Sequence, residues 1–324
     1  MMNRLTWWIG FAILSLLFAE SALAQFNSHN TRGDYGILAA TQPPPGFYVA
    51  PIYVNYRADK FNDADGNAVL PDVRDTVDVD ALVVAGIWVS DIKVLGANYS
   101  FQIYPAWANN NLEIPLFGVD QDTSTGFADL YIQPINLGWH LPRSDFSAGL
   151  GIYAPTGDYE FLGDDNVGLG MWTLELFGGS TIYFDDEKRW HFSTMAFYET
   201  HGEKKGTDIQ VGDFLTLEGG LGWSFLEGAA NVGIAYGAQW KLTDDDLGGF
   251  SIQDALNQLG LDVPVGKNRV FAVGPEVTLP IVTGGKLIAQ VTLRYQWEFG
   301  ARTSLEGNEF MLAVTFPIPS VSLQ

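Results

Sequence analysis

Cysteine is absent from the 324 residues of this chain. Its absence excludes disulfide frameworks, thiolate metal sites and cysteine nucleophiles, and it suits an oxidising compartment, where a free thiol would be a liability. Basic residues are also scarce: 17 Lys and Arg stand against 38 Asp and Glu, which gives a net charge of -21. A nucleic-acid partner is therefore excluded, because phosphate recognition requires Lys and Arg.

Long apolar runs are missing from most of the chain. Beyond Gln25 no segment approaches the roughly 18 apolar residues that a membrane-spanning helix requires. Charged residues make up only 17%, whereas aromatics reach 14% and glycine 36 residues, which is typical of a membrane barrel with aromatic girdles and small residues in its wall. Insertion of the mature chain into a membrane would therefore use strands closed into a barrel.

The first residues have the pattern of a secretory signal. Arg4 precedes an apolar core at 7–19, and Ala22 and Ala24 form a small-residue exit before Gln25. This order predicts a cleaved signal peptide over residues 1–24. The alternative is an uncleaved membrane anchor, which the short apolar run and the cleavage pattern disfavour.

Alternation with a period of two recurs along the mature chain. In 146–155, for example, Phe146, Ala148 and Leu150 alternate with Ser147 and Gly149, as in a strand with lipid on one side and a polar lumen on the other. About a dozen such strands are predicted, at 47–60, 78–89, 93–107, 128–140, 146–155, 169–184, 190–200, 213–225, 230–242, 269–281, 286–299 and 308–316.

Long and short connections alternate between these predicted strands. The fold class is therefore all-β: a transmembrane up-and-down antiparallel β-barrel of about 12 strands, with short periplasmic turns and longer extracellular loops. Residues 25–46 are polar and end in three prolines, which predicts an N-terminal periplasmic or lumenal arm. The barrel is predicted over 47–316, with a C-terminal tail at 317–324. A soluble β-sandwich or propeller is the alternative, but shorter strands would be expected there.

Motifs in the middle of the chain resemble a known family. They are Gly126–Leu130 (GFADL), Pro134, Leu137–Trp139 (LGW), Gly149–Tyr159 (GLGIYAPTGDY), Gly168, Trp172–Thr173, Tyr198–Glu199 and Gly274–Glu276. With them the chain resembles the Gram-negative outer-membrane proteins named for the meta-pathway of phenol degradation. The resemblance implies a barrel that passes hydrophobic or aromatic compounds. One departure concerns the C-terminus, because many outer-membrane proteins end in an aromatic residue, whereas Phe316 here is followed by a tail.

Polar side chains on the faces opposite the apolar ones are the predicted lumen and transport candidates. They are Tyr53, Arg57, Gln102, Tyr104, Glu218, Gln239, Lys241, Glu276, Arg294 and Glu298. Twelve strands lie between barrels filled by side chains and open porins, so the channel should be narrow or blocked. Opposite charges inside are expected to pair across the lumen.

The predicted function is passive uptake of small hydrophobic or aromatic compounds across the bacterial outer membrane. The expected partners are outer-membrane lipid, lipopolysaccharide, the solutes themselves and the barrel-assembly machinery; oligomeric state and substrate identity stay open. A narrow ion or solute porin and a structural or adhesive barrel are alternatives. An outer-membrane phospholipase is a further, less favoured one, with His191 and Ser193 as the nearest candidate pair.

No enzyme signature, cofactor site or metal site is predicted. Asp63 and Asp65 begin half of a calcium loop, but Arg74 stands where the bidentate Glu would be needed. Solvated acidic loops, bridged to lipopolysaccharide through divalent cations, are the preferred interpretation. Apolar spacing between Ser251 and Leu259 predicts a short amphipathic helix in the longest loop, which either packs on that loop or covers the outer mouth.

Overall fold

The computed structural model describes residues 26–68, 77–114, 119–161, 163, 165–249 and 267–318. The predicted signal peptide, the predicted helix between Ser251 and Leu259, and Arg74 lie outside the described residues. No helix in the described ranges is long and apolar enough to cross a membrane.

Twelve antiparallel strands form one closed sheet. They are β1 (Gly46–Asn62), β2 (Val77–Val94), β3 (Ala97–Tyr104, continued by Ala106–Ile114), β4 (Val119–Asp122, Gly126–Phe127 and Leu130–His140), β5 (Ser144–Ala154), β6 (Thr173–Tyr183), β7 (Trp190–His201), β8 (Phe214–Phe225), β9 (Ala230–Lys241), β10 (Arg269–Thr283), β11 (Lys286–Arg302) and β12 (Ser304–Ile318). Each strand pairs with the next, and β1 pairs with both β2 and β12, so the described part of the sheet closes into a ring. Closure pairs the backbone groups of every strand, as a hydrocarbon environment demands. The predicted fold class and strand number are confirmed.

Several strands extend further than the sequence pattern indicated. The turn predicted at 90–92 lies instead at Leu95 and Gly96, with φ angles of 52° and 83° that suit a two-residue hairpin. Part of the loop predicted at 108–125 is a ladder in which 111–114 pair with 119–122. The β11–β12 connection, predicted to be long, consists only of Thr303. Where the strands extend beyond the lipid, water contacts both of their faces. The alternation of apolar and polar residues therefore disappears there, although the backbone pairing continues.

Exposed aromatic side chains on the outer face gather at two levels. Near the short turns they are Phe47, Phe146, Phe184, Trp190 and Phe316; near the long loops they are Trp107, Trp172, Tyr198, Trp297 and Phe299. Aliphatic side chains such as Leu221, Ile234 and Leu293 are exposed between them. An apolar band between two aromatic girdles is the outer surface expected of a membrane-spanning barrel.

Candidate functional site

The N-terminal arm, residues 26–45, lies inside the barrel. Its side chains reach strands far apart in the ring: Gln42 Nε2 donates to Ser100 Oγ on β3 at 2.9 Å, and Arg32 Nε donates to Glu298 Oε1 on β11 at 2.7 Å. Because the ring is closed, one short segment can contact its separate sides only from within.

The arm follows the lumen from one mouth to the other. At the long-loop mouth the Phe26 carbonyl accepts a hydrogen bond from Lys241 Nζ at 3.0 Å. At the short-turn end, the hydroxyls of Thr41 and Tyr183 lie 3.2 Å apart, close to the start of β1 at Gly46. The first residues of the arm are also held by an apolar cluster, made of Phe26, Met171, Ile209, Val211 and Phe214.

The middle of the arm packs against one side of the wall. Gly36–Leu38 form a 3-10 turn, and Ile37 is 1% exposed. A Cβ added to Gly220 of β8 would lie 2.7 Å from Cγ2 of Ile37, so glycine provides the space that the turn occupies. The arm is further held by a second apolar cluster, made of Ala39, Ala40, Phe177, Met195 and Phe197.

Eight of the ten predicted candidates face the lumen. They are Gln102, Tyr104, Glu218, Gln239, Lys241, Glu276, Arg294 and Glu298. Several of them bind the arm: Glu218 Oε2 accepts from the amide of Tyr35 at 3.0 Å, and Gln239 Nε2 donates to the carbonyl of Asn30 at 2.9 Å. Their direct participation in transport stays a prediction.

The other two candidates, Tyr53 and Arg57, lie on the outer face, in contrast to the prediction. The hydroxyl of Tyr56 donates to Glu298 inside the lumen at 2.8 Å, so the odd-numbered neighbours on β1 point outward. The Arg57 side chain is 59% exposed and forms an ion pair with Asp78 at 3.0 Å. The end of β1 nearest the long loops extends beyond the apolar band, so its outer face is polar. In the sequence, this polar outer face resembles a lumenal face.

Sequence reasoning missed an apolar strip on the inner face of β1 and β2, here called the apolar wall. It is formed by Ala50, Ile52 and Val54 of β1 and by Val77, Val79, Ala81, Val83, Ala85, Ile87 and Val89 of β2. Its orientation follows from the register, because Val79 lies opposite the inward Tyr56 and Ile87 lies opposite the inward Gln102. The signal was visible in the sequence, where the odd positions from Val77 to Val89 are all apolar while Asp78 and Asp80 occupy even ones.

The apolar wall is not sealed by the arm. Ile52, Val54, Val79, Ala81 and Val83 are all partly accessible, whereas wall residues under the arm such as Phe197 and Glu218 are 0% exposed. Within the described residues the arm forms no hydrogen bond to β2. Since these side chains point into a closed ring, their accessible area faces a gap inside the lumen, between the arm and β1–β2.

Two ion pairs inside the lumen join charges along the wall or link the wall to the arm. Arg294 and Glu276 occupy register partners on β11 and β10 and lie 2.8 Å apart, with side chains 3% and 6% exposed. Arg32 of the arm pairs with Glu298 at 2.7 Å, with side chains 19% and 4% exposed. The expected pairing across the lumen is therefore replaced by pairs that leave room for the arm.

Replacing Arg32 by Met should loosen the arm. Removing one partner of a buried pair leaves the other charge uncompensated, at a cost of about 3–5 kcal/mol. Hydrogen exchange of the amides in 26–45 should accelerate, while the strands stay protected. Arg57→Met is the matched control, because its exposed pair with Asp78 contributes at most about 1 kcal/mol. Unchanged exchange in Arg32→Met would show that the pair does not hold the arm.

Three of the family motifs meet at the long-loop mouth, namely Gly126–Leu130, Gly149–Tyr159 and Gly168. Asp129 accepts hydrogen bonds from the amides of Gly157 at 2.9 Å and Leu169 at 2.7 Å, and its Oδ2 lies 2.9 Å from Nε2 of His29 in the arm. Burial opposes ionisation of Asp129, but the hydrogen bond with His29 and the backbone amides outweigh it and hold the pKa below its usual value. Asp129 thus ties residues near both ends of the 155–172 connection and the start of the arm together.

The phospholipase candidates His191 and Ser193 both face inward and are 0% exposed. Ser193 Oγ donates to the carbonyl of Ile37 in the arm at 2.9 Å. These two residues therefore do not form a lipid-facing Ser–His pair. Their inward orientation disfavours the phospholipase hypothesis.

A family model described as putative MetA-pathway of phenol degradation matches residues 58–314. This chain belongs to that family. The family resemblance predicted from the central motifs is confirmed. No curated protein sequence matches the chain.

Two solved structures are similar to this chain. An outer-membrane channel from Pseudomonas putida F1 is 13% identical, with 90% of this chain and 100% of that chain covered and a TM-score of 0.70. The β domain of a Bordetella autotransporter is 11% identical, with 85% of this chain and 100% of that chain covered and a TM-score of 0.46. The first likeness shows that this barrel has the fold of an outer-membrane channel.

Proposed function

We propose that this chain is an outer-membrane channel through which small hydrophobic or aromatic compounds enter passively along the apolar wall. The observation that carries the proposal is the partly accessible strip on β1 and β2, which faces the lumen beside the arm. Membership in the phenol-degradation family and the two aromatic girdles support the substrate class and the outer-membrane location.

The chemistry of the gap favours apolar solutes. Each Å² of apolar surface that a solute removes from water contributes about 25 cal/mol, so aliphatic side chains offer weak and unspecific binding along the whole path. A sugar would lose hydrogen bonds to water without finding partners on this strip, which costs free energy for each unpaired group. Passage would thus favour apolar over polar solutes and would depend little on the shape of the solute.

The environment of the barrel supplies the remaining proposed partners. Lipid would contact the apolar band, and lipopolysaccharide would contact the polar outer patch of Arg57, Asp78 and Asp80 above it. Insertion would depend on the barrel-assembly machinery after export by the predicted signal peptide.

Uptake by whole cells tests the proposal. In cells stripped of other porins, radiolabelled phenol and toluene should accumulate faster with this protein than without it, while uptake of a neutral sugar stays unchanged. Equal gains for the sugar would indicate a general pore. No gain for any compound would contradict the channel and favour a structural or adhesive barrel.

A further inference from the structure

Three potential metal ligands converge at the long-loop mouth of the lumen. His29 comes from the arm, while Glu199 and His201 lie near the end of β7, two residues apart and therefore on the same inner face. One ligand atom from each lies within 4.8 Å of the other two. Neither loop motifs nor sequence spacing indicated this cluster, because its histidines come from distant parts of the chain.

His201 has an unused coordination capacity. Its side chain is 3% exposed, and neither ring nitrogen has a hydrogen-bond partner. Buried polar atoms are normally paired, since leaving them unpaired costs free energy. Phe214 packs edge-on against the ring at a centroid distance of 5.9 Å, so the surrounding wall fixes the ring without satisfying its nitrogens.

Glu199 is a second buried group that lacks a counter-charge. Its side chain is 0% exposed, and its oxygens accept only neutral donors, the hydroxyl of Ser28 and the amide of Asn30. Among the described residues it forms no ion pair. A cation bound here would compensate this carboxylate in a place where unpaired charge is costly.

His29 is oriented as a metal-binding histidine would be. Its Nε2 lies 2.9 Å from Asp129, and a carboxylate behind the ring is the usual support for a histidine ligand. Its Nδ1 lies 2.8 Å from the hydroxyl of Thr173, the residue that pairs with His201 in the sheet. The Nδ1 edge of the ring is therefore directed toward Thr173 on β6, beside His201 on β7, and a metal would replace the threonine contact.

We propose that His29, Glu199 and His201 bind a divalent transition metal such as zinc. Two imidazoles and one carboxylate suit zinc, cobalt or nickel, with water in the fourth position, whereas calcium and magnesium prefer oxygen ligands alone. Tetrahedral zinc holds its ligands roughly 3.4 Å apart, so modest side-chain rotation closes the site. Because one ligand belongs to the arm and two to the wall, the metal fastens the arm at the mouth.

Metal stoichiometry of the full mature chain in detergent tests the proposal. After chelation, the protein is equilibrated with zinc, and bound metal is counted after gel filtration; cobalt provides a visible spectrum of the ligand set. One equivalent is expected for the wild type, with loss in His29→Ala and His201→Ala. His140→Ala is the matched control, because His140 lies at a turn and its side chain is 39% exposed.

The variants must be shown to fold. Heat-dependent migration on gels provides this test, because an intact barrel migrates differently from the heat-unfolded chain. His29 lies in the arm and not in a strand, so His29→Ala keeps the test decisive if His201→Ala fails to fold. Zinc should also slow hydrogen exchange in 26–45 of the wild type and leave His29→Ala unchanged. Equal zinc binding by the wild type and both variants, or no zinc in the wild type, would overturn the proposal.

Discussion

Removal of residues 26–45 from the mature chain should raise the single-channel conductance several-fold. The arm reaches strands on separate sides of the ring, and its 3-10 turn fills the space left by Gly220. A ring of twelve strands without a plug lies between side-chain-filled barrels and open porins in width. The polar wall under the arm, including Glu218 and Gln239, would then be hydrated and would conduct ions.

Planar bilayers with purified protein provide the measurement. An engineered disulfide is a matched control, since the chain has no other cysteine: Ala39→Cys with Ser193→Cys links positions where an amide now donates to a hydroxyl at 3.3 Å. The oxidised, arm-locked variant should keep the low wild-type conductance. Wild-type conductance in a folded deletion variant would show that the arm does not limit the pore.

The same locked variant separates two routes of uptake. If solutes pass beside a stationary arm along the apolar wall, toluene uptake should be equal in the oxidised and the reduced protein. Loss of uptake on oxidation, with recovery on reduction, would mean that the arm must move for passage.

Replacing Val83 by Asn should lower toluene uptake about fivefold or more. Val83 lies opposite Ile52 in the middle of the apolar wall and is partly accessible from the lumen. An amide there would hold water in the gap, and an apolar solute that displaces it leaves polar groups unpaired at about 1–3 kcal/mol. Each 1.4 kcal/mol corresponds to a factor of about ten.

Two substitutions control for this result. Val83→Leu keeps the apolar surface and should leave toluene uptake close to wild type. Asp80→Asn changes a residue of the same strand that faces outward, where it accepts from Asn55, and it should not affect uptake. Equal rates in Val83→Asn and Val83→Leu, with both variants folded, would exclude the apolar wall as the path.

Much of the fold could be predicted because a membrane barrel imposes a simple rule on each strand. Lipid on one side and lumen on the other force a period of two, which is clear in β5 and in β11, where Leu287, Val291 and Leu293 alternate with polar residues. The number of strands and their antiparallel order could be predicted from this alternation and from the connections between strands, and the family from its local motifs. The ends of β2, β11 and β12 did not, because pairing continues where the lipid no longer selects the side chains.

The amino-acid sequence by itself thus determined a barrel, its strand order and its family, because the alternation of side chains in each strand reflects lipid on one face and the lumen on the other. Only the tertiary structure decided which face of β1 is inside, because an alternating strand distinguishes two faces without saying where each one points. It also decided that the arm occupies the lumen and that His29 meets Glu199 and His201. Those contacts join residues far apart in the chain, and only closure of the ring brings them together.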